Sequence, residues 1–169
     1  MDDPRTYPPL AADERTMLSA WLDFHRETLA LKCAGLDAEQ LCTRSVEPSS
    51  MTLIGLVRHM AEVERGWFER TMAGLDSPPR YYGPDNPDGD FDDVTPDACD
   101  ADFATWQADC ARARQILSDI DSLDEPAAEA RDEGRVTLRW ILVHMIEEYA
   151  RHNGHADLLR ERIDGQTGD

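Results

Sequence analysis

Apolar residues recur at three- and four-residue intervals in four long segments, and nowhere does a β-branched run alternate with polar residues. The fold class this predicts is all-α. Four helices of about 22 to 27 residues, each ~33 to 40 Å long, suit a four-helix bundle. The first is expected over 12–33, with Leu18, Trp21, Leu22, His25 and Leu29 on one stripe and Gly35 past its end. The second is expected over 51–73, opened by Ser49 or Ser50 and closed by Gly74; the third over 100–121; the fourth over 137–163, ending before Gly165. Trp21, Trp67 and Trp140 are expected in the core, whereas the pattern around Trp106 says little. A chain of 169 residues is expected to form a single domain, 1–169.

Between the second and third helices lies a long acidic, Pro/Gly-rich connection, 75–98, with five of the ten prolines, two glycines and seven aspartates. That composition argues against any helix there, leaving either disorder or a crossover packed through Tyr81, Tyr82 and Phe91. No frame in it yields a calcium loop with Glu at the twelfth position. The acidic connection 121–135 reads as solvated.

Charge narrows the partners. The formal net charge is −18, and every basic residue except Lys32 is arginine. With no basic patch, nucleic acid and anionic lipid are both unexpected. Cys33, Cys42, Cys99 and Cys110 form no CxxC pair and follow no secretory signal, so reduced thiols and a cytoplasmic location are expected. The apolar runs are far shorter than the ~20 residues a membrane span needs.

A short echo links two helices. "MTLIGLVRHM" opens the second and "VTLRWILVHM" the fourth, aligning Thr52 with Thr137 and His59 with His144. An internal twofold repeat would bring these helices together at the centre.

The fourth helix also carries ionisable residues inside its apolar stripe. Advancing about 100° per residue from Glu148 puts His152 near 40°, His155 near −20° and His144 near −40°, among Ile141, Met145 and Leu159. A buried carboxylate needs a partner. Pairing with a buried Arg or with the imidazoles is one solution. A divalent metal held by Glu148 and His152, with His59 from the second helix, is another; N and O donors suit zinc, with nickel, iron or manganese also compatible.

The segments "TLIGLVRHMAEVERGWF" and "TLRWILVHMIEEYARHNGHADLLRE" resemble the DinB-like four-helix-bundle superfamily, and within it an actinobacterial branch related to the N-terminal domain of mycothiol-dependent maleylpyruvate isomerases. Those bundles bind a metal, often zinc or nickel, through one His on helix 2 and an H-x-x-x-H pair on helix 4 whose first His is Glu in the isomerases. The resemblance implies His59, Glu148 and His152 as metal ligands. His155 stands outside the triad as a fourth ligand, a proton shuttle, a partner orienting Glu148 or a plain core residue. His144 reads as packed, with the echo keeping it as an alternative to Glu148, and His25 as a core histidine.

Three protein ligands leave a coordination position open, as catalytic zinc requires. The resemblance implies mycothiol as thiol co-substrate, an electrophilic small molecule as its partner in a transferase or detoxification reaction, and a homodimer. The isomerases' additional C-terminal domain has no counterpart here, so maleylpyruvate isomerisation is not expected. The alternative is a non-catalytic metal-binding or stress-response bundle, whose metal a fourth protein ligand would close off. Hydrolysis lacks an H-E-x-x-H motif.

Overall fold

A computed structural model describes residues 3–130 and 134–168. Positions 131–133 of the second acidic connection lie outside the described residues. The described chain is all-α, with helices α1 (Glu14–Cys33), α2 (Ala38–Leu41), α3 (Leu53–Glu64), α4 (Gly89–Asp92), α5 (Cys99–Ser118) and α6 (Leu138–Asp164). A π-helical stretch, Arg65–Met72, continues α3 without a break, and a 3-10 turn, Pro96–Ala98, leads into α5. The four long rods are therefore α1, α3 with its π extension, α5 and α6. Packing is most extensive between α1 and α6 and between α3 and α5.

Local chemistry explains where the rods begin and end. Asp13 caps α1 by accepting from Thr16 N–H. Thr52, rather than the predicted serines, caps α3: its Oγ1 accepts from Gly55 N–H at 3.0 Å, while Ser49 Oγ accepts from Met51 N–H one turn too early to open the helix. Thr137 caps α6 in the same way, through Trp140 N–H at 3.4 Å. The echo is thus two copies of one helix start. Gly165 ends α6 with φ 81°, a left-handed conformation that costs glycine nothing.

The core is aliphatic, built on Leu22, Leu29, Ile54, Leu56, Met60, Ile141, Leu142 and Met145, but it encloses a polar cluster centred on Glu64. Glu64 is fully buried, and Arg26 grips it with two hydrogen bonds of 2.7 Å, Nε to Oε1 and Nη2 to Oε2. Tyr149 Oη donates to Glu64 Oε1 at 2.8 Å, Trp106 Nε1 donates to Tyr149 Oη at 2.9 Å, and Cys110 Sγ stands 3.6 Å from Glu64 Oε1. Burial first and the Glu64 charge second push the Tyr149 and Cys110 pKa values up, so both stay protonated as donors.

Trp106, unplaced by the sequence pattern, is a core residue held by that hydrogen bond. Trp21 and Trp140 are not core: they are 42% and 44% exposed, and of the three predicted tryptophans only Trp67 packs against the core. Trp140 stacks on His144 with ring centroids 5.0 Å apart, and Trp67 packs on both.

The 75–98 connection also departs from expectation, since it contains α4 despite its composition. Arg58 on α3 holds both ends of that turn, donating to Gly89 O at 2.8 Å and to Asp93 O at 2.6 Å, with its guanidinium 4.4 Å over the Tyr81 ring. Tyr81 and Phe91 pack on the core, whereas Tyr82 remains exposed. Gly55 permits the close approach of α4 to α3, as a Cβ there would lie 3.2 Å from the Phe91 ring.

Candidate metal centre

His59, two turns into α3, and Glu148 and His152, one turn apart on α6, converge so that one donor atom from each lies within 4.8 Å of the other two. The His59 and His152 rings are 4.7 Å apart, centre to centre, and His152 Nε2 stands 3.5 Å from Glu148 Oε2. That gap is too long for a strong hydrogen bond. It matches two donors sharing one ion, because ligands ~2.0–2.1 Å from a tetrahedral zinc are about 3.4 Å apart. Glu148 is 17% exposed at its side chain, so it is neither in bulk solvent nor sealed in the core. Its other oxygen lies 3.5 Å from His144 Nε2.

Two neighbours hold the imidazoles. Asp90, 5% exposed on α4, sits 2.8 Å from His59 Nδ1, and Phe91 stacks on the same ring at 5.1 Å. With a proton on Nδ1 directed at Asp90, His59 Nε2 is the nitrogen left to ligate. His155 Nδ1 lies 3.3 Å from His152 Nδ1. When His152 Nδ1–H donates there, Nε2 likewise keeps its lone pair beside Glu148. Burial chiefly, and then the charges on His59, His155 and Arg151, lower the His152 pKa from 6.5 to about 4. His152 is therefore neutral at physiological pH, the form a ligand needs. The donor set fits a divalent cation on spacing, protonation and donor chemistry.

His155 thus meets His152 rather than orienting Glu148, and it is not in the converging triad. His144 forms a second grouping with Glu147 and Glu148, but its two nitrogens face different carboxylates, at 3.6 and 3.5 Å, and its ring packs between Trp67 and Trp140. His25, half-buried, sits beside Asn153, which donates to the His25 carbonyl at 3.0 Å. The residue that sequence reasoning missed is Asp90. Its one signal is the adjacent Phe91, an apolar side chain that packs, partly buried, against the core.

A cleft of about 370 Å³ opens on the His59 side of the cluster, walled by Glu62, Trp67, Arg70, Tyr82 and Asp90. Its Trp67 and Arg70 wall comes from the π-helical stretch, whose wider turns are common at functional sites.

The fold and the site together define an all-α bundle with a His/Glu donor cluster between two of its rods, open to a cleft of small-molecule size. A family model described as mycothiol-S-transferase matches residues 17–165, and the chain belongs to that family. Its architecture is the DinB-like bundle. Among solved structures, a conserved protein from Enterococcus faecalis shares the fold with a TM-score of 0.66, over 92% of this chain and 100% of that one, at 18% identity. No curated protein sequence matches the chain. Among the described residues no helix is long and apolar enough to cross a membrane.

Proposed function

We propose that His59, Glu148 and His152 hold a divalent metal, zinc in the first instance with nickel as the alternative, and that the protein transfers mycothiol to an electrophilic small molecule. The supporting observation is the convergence of three residues with N and O donor atoms, two imidazoles and a carboxylate, beside a cleft. When bound, a divalent cation lowers the proton affinity of a thiol and so supplies a nucleophile at neutral pH. Asp90 would fix the His59 tautomer, His155 Nδ1 stands where it would accept from His152 Nδ1–H, and burial keeps His152 unprotonated. In the net reaction the thiol proton is lost, sulfur forms a new bond to carbon, and the leaving group departs with its electron pair. The cleft favours this reading over a closed structural site, for which a fourth protein ligand would be needed.

The test is elemental analysis of protein purified without an affinity tag, followed by a mycothiol-conjugation assay on wild type and His152→Ala. About one metal per chain and thiol consumption by the wild type, both lost in the variant, are expected. Stoichiometric metal without thiol consumption would instead favour the non-catalytic bundle. A homodimer in the cytoplasm belongs to the same proposal, with exposed Trp21, Val143 and Leu158 as available apolar surface; light scattering tests the assembly.

A further inference from the structure

Two of the four thiols meet away from the donor cluster. Asp37 and Gln40 open the short helix α2 as a capping box, and α2 packs against the 3-10 turn Pro96–Ala98 with Leu41 buried in the core. Cys42 closes α2, its N–H reaching Ala38 O, and Cys99 begins α5 where the turn ends. Their Sγ atoms lie 3.7 Å apart, and Cys99 Sγ is also 3.8 Å from Ala38 O and 3.7 Å from Thr95 O. The sulfurs are about 1.7 Å further apart than in a disulfide, a gap to be closed by side-chain rotation and a small shift of a four-residue helix. Cys42 is partly exposed and Cys99 is buried, so one sulfur is open to a dissolved reagent and the other is shielded. Cys110 is placed differently, its Sγ standing 3.6 Å from Glu64 Oε1 and 3.7 Å from Tyr149 Oη within the core.

We propose that Cys42 and Cys99 form a site of reversible oxidation by hydrogen peroxide, closing into one intrachain disulfide. Cys42 Sγ attacks a peroxide oxygen: an S–O bond forms, the O–O bond breaks, and the hydroxide released leaves as water with the thiol proton. Cys99 Sγ then attacks the sulfenic sulfur, forming the S–S bond while the S–O bond breaks and a second water leaves with the Cys99 proton. Two thiols are oxidised by two electrons and the peroxide is reduced to two waters. Two equivalents of a low-molecular-weight thiol reverse the step and become a disulfide themselves. Burial raises the Cys42 pKa and pushes Cys99 up to about 12, while the hydrogen bond donated by Cys99 lowers Cys42 in part. Cys42 is therefore the attacking sulfur, and its small thiolate fraction tunes the pair to sustained oxidant rather than to a brief pulse. The two residues are 57 apart in sequence, with α3, the π-helical stretch and α4 between them. Two residues beyond Cys42, Arg44 makes only an exposed pair with Asp92 of α4 at 3.6 Å, so a covalent bond would be the firmer tie between α2 and the 75–98 connection. The inference depends on neither the metal nor mycothiol.

The experiment treats the full chain with a moderate excess of hydrogen peroxide, caps the remaining thiols with iodoacetamide in denaturant, and maps the peptides by mass spectrometry without reduction. A crosslinked pair of peptides holding Cys42 and Cys99, lighter by two hydrogens and split by dithiothreitol, is expected, with Cys33 and Cys110 carrying the cap. The oxidised chain should melt about 5–15 °C above the reduced one. Cys42→Ser changes a partly exposed side chain and should lose both the crosslink and the rise. Cys42 and Cys99 both capped after oxidation, Cys42 carried on to sulfinic acid beside a capped Cys99, or a crosslink through Cys33, Cys110 or a second chain overturns the site. A crosslinked chain that melts no higher overturns the tie between α2 and the connection.

Discussion

His59 and Glu64 stand on one helix, and Glu148 and Tyr149 are consecutive on another, yet these neighbours serve two polar clusters of opposite character. Around Glu64 every acceptor is matched: Arg26 and Tyr149 reach the carboxylate at 2.7 to 2.8 Å, and Trp106 completes the chain. Around Glu148 the nearest nitrogens stay at 3.5 Å or beyond, and the orienting partners, Asp90 and His155, attach to the far sides of the imidazoles. The first cluster is finished by the protein itself. The second brings its donor atoms together without a close hydrogen bond between them, a difference in geometry between two clusters that use the same residue types.

The largest effect is expected on the closed cluster. Arg26→Met would leave Glu64 charged and buried, costing about 3–5 kcal/mol of unfolding free energy in urea titrations. The folded fraction should keep its metal content, and a loss below ~1 kcal/mol would erase the distinction drawn above. Next, Asp90→Asn should weaken metal affinity about 10- to 100-fold in a chelator competition, since the group that orients His59 loses its charge. An unchanged affinity would detach Asp90 from the site.

A pH titration sharpens the contrast further. In metal-free protein His152 has a folded pKa of about 4, below its ordinary 6.5. Between those values the unfolded chain binds more protons, so stability rises with pH across this window and is lost on acidification from pH 6.5 toward 4. Urea titrations of His152→Gln should show a flatter acid limb than the wild type, and an identical limb would refute the assignment. The smallest effect belongs to Glu148→Gln in metal-free protein. Its loose ion pairs predict a change within about 1 kcal/mol, against the several expected for Arg26→Met.

The rods were legible because their periodicity follows from burying one face, a constraint that every turn repeats. The placement of His59, Glu148 and His152 on two such faces was legible for the same reason. Periodicity failed where one contact decides the outcome. Seven aspartates in the 75–98 connection look alike in sequence, and only the docking of Phe91, the grip of Arg58 and the missing side chain of Gly55 select Asp90. It failed again at Glu64, which the pattern did not separate from the solvated acids because its partner, Arg26, comes from another helix. Trp21 and Trp140 show the converse: a large aromatic matches the pattern while staying largely exposed.

The π-helical stretch Arg65–Met72 makes the length of its rod a matter of counting. Ala73 N–H reaches back to Phe68 O at 3.0 Å, five residues rather than four. Removing one amino acid there would let the rod relax into ordinary α pitch with little loss of helix, and because the wider turns hold one residue more over about the same angular sweep, the chain beyond the stretch would keep nearly its present facing. A deletion before Trp67 would therefore be absorbed inside the stretch, altering how Trp67 meets the cleft while leaving His59 and the rod's far end in place.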